Sequence, residues 1–231
     1  MKHSNVILHC SNVHKIFRQN KKTNAGLHVL KSIDLEIQKG ELVSIVGASG
    51  AGKSTLLHIL GGLDRPTEGE VYWGETNINK IGDEKLARLR TKEVGFVFQY
   101  HHLLPEFTAL ENVAIPHMIF GESKKTSLEA AEKYLEMVGL KDRLNHKPSE
   151  LSGGEQQRVA IARAIVNQPR IVLTDEPTGN LDSATALDLF NIILELNRAN
   201  GQTFVIITHN EKLAEKTHRV MLMEDGKIRK V

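Results

Sequence analysis

The segment Gly47-Ala-Ser-Gly-Ala-Gly-Lys-Ser-Thr55 fits the pattern G-x-x-x-x-G-K-[ST] and lies between an apolar run, Leu42 to Val46, and a helix-like run from Ser54. Strand, glycine-rich turn and helix in that order form a cradle for phosphate. Glycines at 47, 50 and 52 let the backbone bend tightly and turn successive N–H groups inward, Lys53 can reach β- and γ-phosphates, and Ser54 can hold Mg²⁺. A helix that begins just after the loop adds its positive end. The nucleotide-binding positions expected here are Gly47, Ser49, Gly50, Ala51, Gly52, Lys53, Ser54 and Thr55.

The surrounding chain alternates strands and helices. Residues 6 to 17 and 27 to 37 read as strands with the polar stretch Arg18 to Gly26 as a loop between them, and short strands are expected at Gly69–Gly74 and Val94–Phe98. From about Tyr100 to Gln168 the periodicity turns helical, clearest over Leu110–Ile119, Ser127–Val138 and Gly154–Val166, with joints near Pro105 and Pro148. The αβ rhythm then returns with strand Ile171–Thr174, helix Ser183–Ala199, strand Thr203–Thr208, helix Glu211–Thr217 and a hairpin of Val220–Met223 with Lys227–Val231. Such alternation predicts a largely parallel sheet covered on both faces, interrupted by a helical insertion.

The 231 residues are 40% hydrophobic, enough for one large domain with a sizeable core. Thirty Lys+Arg against 28 Asp+Glu give a net charge of +2, so no strong field argues for nucleic acid or an acidic substrate. No apolar stretch reaches the roughly 18 to 20 residues needed to span a bilayer. The start, Met1 to Cys10, does not read as a leader with a lipid-accepting cysteine, because its apolar run is only Val6 to Leu8 and His9 is not small. Cys10 is the only cysteine, which excludes an internal disulfide and favours a buried thiol in the reducing cytosol.

Ile171-Val-Leu-Thr-Asp-Glu176 is an apolar strand that delivers two carboxylates at its C-terminal end, where open α/β sheets bind ligands. Asp175 suits an Mg²⁺ partner, and Glu176 can orient or deprotonate an attacking water. His209, directly after the strand Phe204 to Thr208, can hydrogen-bond a γ-phosphate oxygen. The other histidines have no zinc-ligand spacing, and His101-His102 reads as a polar loop pair.

Leu151-Ser-Gly-Gly-Glu-Gln-Gln-Arg158 places a hydroxyl and two glycines before a helix, a second anion-binding start that one nucleotide cannot obviously share with the first. Together with the phosphate loop and Asp175-Glu176, this segment makes the chain resemble the ATP-binding cassette (ABC) ATPase family over essentially its whole length. The resemblance implies an α/β P-loop NTPase fold with a mostly parallel core sheet, an N-terminal antiparallel β subdomain and an inserted α-helical subdomain. The core would comprise residues 1–99 and 169–231, and the insertion residues 100–168. It further implies ATP and Mg²⁺ as ligands, with Glu176, His209, Lys53 and Gln99 catalytic and Ser54, Gln99 and Asp175 at the metal.

By the same resemblance Phe17 would stack on adenine, where tyrosine is commoner, and Gln99 would meet Mg²⁺ and sense the γ-phosphate. Asp182 would lie in the dimer-contact loop, where Gly179-Asn180 replaces the more familiar Ser-Ala. Two copies would meet head to tail, so that Ser152, Gly153 and Gly154 serve ATP held by the other copy's Lys53.

The segments His101 to Pro116 and Asp175 to Asp182 resemble, within that family, the subgroup of lipoprotein-release, macrolide-export and cell-division ATPases. The implied machine is a homodimer on the cytoplasmic face of the bacterial inner membrane, held there by two transmembrane subunits, with no nucleic acid involved. Lipoprotein release is the reading expected. Macrolide-like export and cargo-free regulation of cell division are the alternatives.

Overall fold

A computed structural model gives the fold and describes residues 5–20 and 23–230. The first four residues of the Met1–Cys10 segment, positions 21 and 22 of the expected loop, and Val231 at the end of the expected hairpin lie outside the described residues.

Two long strands, β1 (Val6–Asn20) and β2 (Thr23–Gln38), open the fold, followed by β3 (Leu42–Val46), α1 (Lys53–Leu60), β4 (Glu68–Trp73) and β5 (Thr76–Asn77). Next come α2 (Asp83–Glu93), β6 (Val94–Val97), and three helices, α3 (Ala109–Phe120), α4 (Lys124–Met137) and α5 (Gly153–Ile165). The chain closes with β7 (Ile171–Asp175), α6 (Ser183–Asn200), β8 (Thr203–Ile207), α7 (Glu211–Ala214), β9 (Arg219–Glu224) and β10 (Lys227–Lys230).

The main sheet has the order β10-β9-β3-β8-β7-β6, with only the β9–β10 pair antiparallel. A second, antiparallel sheet has the order β2-β1-β4-β5. The expected combination of a mostly parallel core with an antiparallel N-terminal sheet is therefore the observed one.

Alternation along the central strands builds two apolar layers from short runs. Leu42, Phe204, Ile206 and Val172 pack on one face with the helices α3 to α6. Val43, Ile45, Val205, Ile207, Ile171 and Leu173 pack on the other face, against α1 and the antiparallel sheet. Because successive side chains point to opposite faces, a strand covered on both sides must be apolar throughout, which is how these runs read. The helices α3 to α5 share the first of these clusters with the sheet, so they lean on the core instead of enclosing a separate one.

Several expectations need correction. Arg18 to Gly26 is not a free loop: the β1–β2 ladder continues through Arg18↔Gly26 to Asn20↔Thr23. A ladder is made by backbone groups, so polar side chains do not end it. The last helix stops at Ala214, where Thr217 Oγ1 donates to the Ala214 carbonyl at 2.7 Å and draws the chain out of the helix. The helix expected over Leu110–Ile119 is found as α3, one residue longer at each end and with Pro116 inside it.

Candidate nucleotide site

Four adjacent strands of the main sheet, β3, β8, β7 and β6, end on the same side, and each hands its next residues to one cavity. The phosphate loop follows β3, His209 follows β8, Asp175 and Glu176 complete β7, and Gln99 follows β6. Parallel pairing thus explains how residues as far apart in the chain as Gly47 and His209 converge. The cavity measures about 560 Å³ and is lined by Gly47, Ser49, Gly50, Gly52, Lys53, Ser54, Thr55, Gln99, Asp175, Glu176 and His209, with Val29 from β2.

The loop is bent by necessity. Gly47 has φ 152°, and a Cβ there would fall 2.1 Å from the Met223 carbonyl oxygen on neighbouring β9. Gly52, with φ 103°, is the N-cap of α1 and has no side chain to occupy the helix start, so the first-turn N–H groups stay available to an anion. Lys53 is buried, and its Nζ donates to the carbonyls of Gly47 and Ala48 at 2.8 and 2.9 Å. It holds the loop in shape while keeping its charge beside the cavity.

Opposite the loop stand the acids. Asp175 Oδ1 is buried with no hydrogen-bond partner among the described residues. Glu176 takes φ 49°, an unusual conformation for a non-glycine, and its N–H donates to the Ile207 carbonyl at 2.9 Å. Such backbone strain persists only where the surroundings enforce it, and it concentrates at functional sites. His209 Nδ1 pairs with Glu176 Oε2, so the side chain expected to activate water and the one expected to bond the γ-phosphate touch each other. The Ser54 hydroxyl, the Gln99 amide oxygen and the Asp175 carboxylate form an oxygen set that suits a hard divalent cation with few carboxylates.

The remaining expected residues stand elsewhere. Phe17 is outside the cavity lining and 43% exposed, with Lys15 Nζ 5.0 Å from its ring centroid, so it is not a core aromatic. Ala51 packs its methyl toward the core beneath the loop. Ser152, Gly153, Gly154 and Asp182 do not line their own chain's cavity.

Ser152 caps α5 through a reciprocal box: its Oγ accepts from Glu155 N, and Glu155 Oε2 accepts from Ser152 N at 2.8 Å. That donation from the Ser152 N–H, helped by Arg143, holds the Glu155 carboxyl below the usual range. Asp182 caps α6, accepting from Ala184 N and Thr185 N at 3.0 and 3.1 Å and from the Thr185 hydroxyl, which lowers its pKa. A Cβ on Gly154 would sit 2.4 Å from Thr185 Cγ2, so the start of α5 and the start of α6 are in contact.

Sequence reasoning missed several supporting residues. Gln157 on α5 donates to the Phe98 carbonyl at 3.0 Å, and Arg163 donates to the carbonyls of His101 and His102 at 2.7 and 2.8 Å. Buried Asn112 donates to the carbonyls of Leu104, Phe107 and Thr108 and accepts from Leu104 N. Polar residues on the inner side of an otherwise apolar helix stripe were the available signal for Gln157 and Asn112.

A family model described as ABC transporter matches residues 30–179. The chain belongs to the ABC transporter family. It is an ATP-hydrolysing ABC cassette, as its phosphate loop and paired acids indicate, and its fold is that of such cassettes. The lipoprotein-releasing system ATP-binding protein LolD of Legionella pneumophila (strain Lens) is 51% identical, covering 93% of this chain and 94% of that one. The LolD of Idiomarina loihiensis is 48% identical over 98% of both chains, and that of Bacteroides thetaiotaomicron is 54% identical over 90% and 96%. Among solved structures, the ABC cassette MJ0796 in a dimeric post-hydrolysis state bound to ADP and Pi superposes with a TM-score of 0.87 at 41% identity, covering 96% of this chain and 98% of that one. CbiO1 from Clostridium perfringens, part of an ABC transporter complex, gives 0.86 at 25% identity, covering 98% and 88%.

Proposed function

We propose that this ABC ATPase powers the release of outer-membrane-directed lipoproteins from the bacterial inner membrane. The observation that carries this reading is the 48–54% identity to proteins named for lipoprotein release, over nine-tenths or more of the chain. The ATPase dimer sits on the cytoplasmic face, held by two transmembrane subunits of the LolC/LolE type. No helix among the described residues is long and apolar enough to cross a membrane, which agrees with attachment through partners. Residues 100–168 form the inserted helical unit that faces those subunits, and residues 1–99 and 169–231 the nucleotide-binding core.

In this reading the loop N–H groups and Lys53 hold the β- and γ-phosphates, and Phe17 offers a ring face to adenine. Ser54, Gln99 and Asp175 hold Mg²⁺, and the unpartnered buried oxygen of Asp175 fits such a role. When bound, Mg²⁺ neutralises charge on the phosphate oxygens. Glu176 aligns and deprotonates water, while His209, fixed by Glu176 through Nδ1, turns Nε2 to the γ-phosphate. Ser152, Gly153 and Gly154, absent from their own cavity, complete the site of a second copy, with Asp182 in the loop between them. ATP then favours the closed dimer and hydrolysis releases it, a shift driven by differential binding to two states.

Depletion of the protein in its own cell should leave outer-membrane lipoproteins in the inner membrane, and Glu176→Gln should fail to restore their release. If lipoproteins reached the outer membrane normally during depletion, the cargo assignment would be wrong.

A further inference from the structure

Gln99 and Asn180 are joined in both directions. Asn180 Nδ2 donates to the Gln99 backbone carbonyl at 3.3 Å, and Gln99 Nε2 donates to Asn180 Oδ1 at 3.1 Å. The first bond fixes the second by chemistry. A backbone carbonyl only accepts, so the Asn180 amide must turn its nitrogen to it, which leaves Oδ1 facing the Gln99 side chain. That side chain must answer with a donor, its Nε2, and so its oxygen, Oε1, is the amide atom left over. Gln99 lines the nucleotide cavity, and a cation can use an amide oxygen but not an amide nitrogen.

We infer that Asn180 is a positioning residue that sets the amide of Gln99 oxygen-first for the divalent cation. This inference rests on the reading of Gln99 as a Mg²⁺ ligand. The arrangement is that of an outer partner orienting a metal-binding side chain, here through a residue on the loop that also carries Asp182. Gly179 eases the approach: a Cβ there would lie 3.0 Å from Gln99 Nε2, a tight contact that the amide would have to yield to by a few tenths of an ångström. The same two positions are where the sequence departs from the Ser-Ala pair common in the family, with glycine supplying the space and asparagine the two bonds.

The test reads metal linkage instead of turnover. In a Glu176→Gln background, ATP affinity is measured with Mg²⁺ and again with the metal chelated, and the ratio is the gain from metal. Asn180→Ala should reduce that gain roughly tenfold, leave the metal-free affinity unchanged, and leave the thermal midpoint of the nucleotide-free protein unchanged. Asn180 is exposed, so truncation leaves no core cavity. Gln99→Ala should reduce the gain as well, and adding Asn180→Ala to it should change nothing further, since both act through one amide. If Gln99→Ala lowered the gain and Asn180→Ala did not, Asn180 would have no positioning role while the reading of Gln99 stood. If Gln99→Ala left the gain intact, the metal reading itself would fall and this inference with it.

Discussion

Glu176 and His209 meet across the ends of adjacent strands β7 and β8, carboxylate Oε2 against imidazole Nδ1. The contact ties the group proposed to activate water to the group proposed to reach the phosphate, and Glu176, in a left-handed backbone conformation, lines the cavity with it. Glu176→Gln keeps the shape and removes the base. Steady-state ATP hydrolysis should fall by about a hundredfold or more, with ATP binding retained and an ATP-dependent dimer accumulating on gel filtration. Near-normal turnover would remove Glu176 from catalysis.

Lys53→Ala should weaken ATP binding by about tenfold or more, the scale of losing hydrogen bonds to a charged group. Mixed dimers distinguish a shared site from a self-contained one. With Lys53→Ala on one subunit and Ser152→Ala on its partner, one composite site carries both lesions and the other is intact, so part of the activity should survive. With both changes on one subunit, each composite site is damaged and activity should be lost. Equal activity in the two arrangements would contradict site sharing.

Gly47→Ala should destabilise the fold before any nucleotide binds, because its Cβ would collide with the Met223 carbonyl at 2.1 Å and φ is 152°. A cost of about 2 kcal/mol, at roughly 2–4 °C per kcal/mol for a chain of this size, lowers the calorimetric midpoint by about 4–8 °C. Gly82→Ala is the control: Gly82 has φ −67° and open space around it, so only the weaker N-cap of α2 is lost and the midpoint should fall by much less.

Burial, with Asp34 adding repulsion, pushes the Cys10 thiol up from 9.0 to about 12. The folded chain therefore keeps a proton that the unfolded chain loses, and stability declines as pH rises from about 9 toward 12. Urea unfolding across this range should show a steeper alkaline loss for the native chain than for Cys10→Ala. Equal slopes would show that Cys10 does not contribute.

The main sheet was legible because each central strand is apolar on both faces and each is followed at once by a chemically distinctive residue. Val43 and Phe204 declare burial, and Lys53, Asp175 and His209 declare the site. What escaped reading depends on partners remote in sequence. The role of Asn180 is visible only when a loop 81 residues away lies beside it, and that of Arg163 only when the carbonyls of residues 101 and 102 turn toward it. Val29 joins the cavity wall because two sheets pack together, which no local pattern encodes. The continuation of β1 and β2 was hidden for the opposite reason: backbone pairing there does not depend on apolar side chains.

Gln157 and Arg163 grip the chain on both sides of Gln99, at Phe98 and at residues 101 and 102, and both project from the helix that begins at Ser152. That helix is thus a yoke. The backbone that carries Gln99 cannot move away from it without breaking hydrogen bonds on one flank or the other, so this stretch of the cavity wall is tied to the helix at both ends.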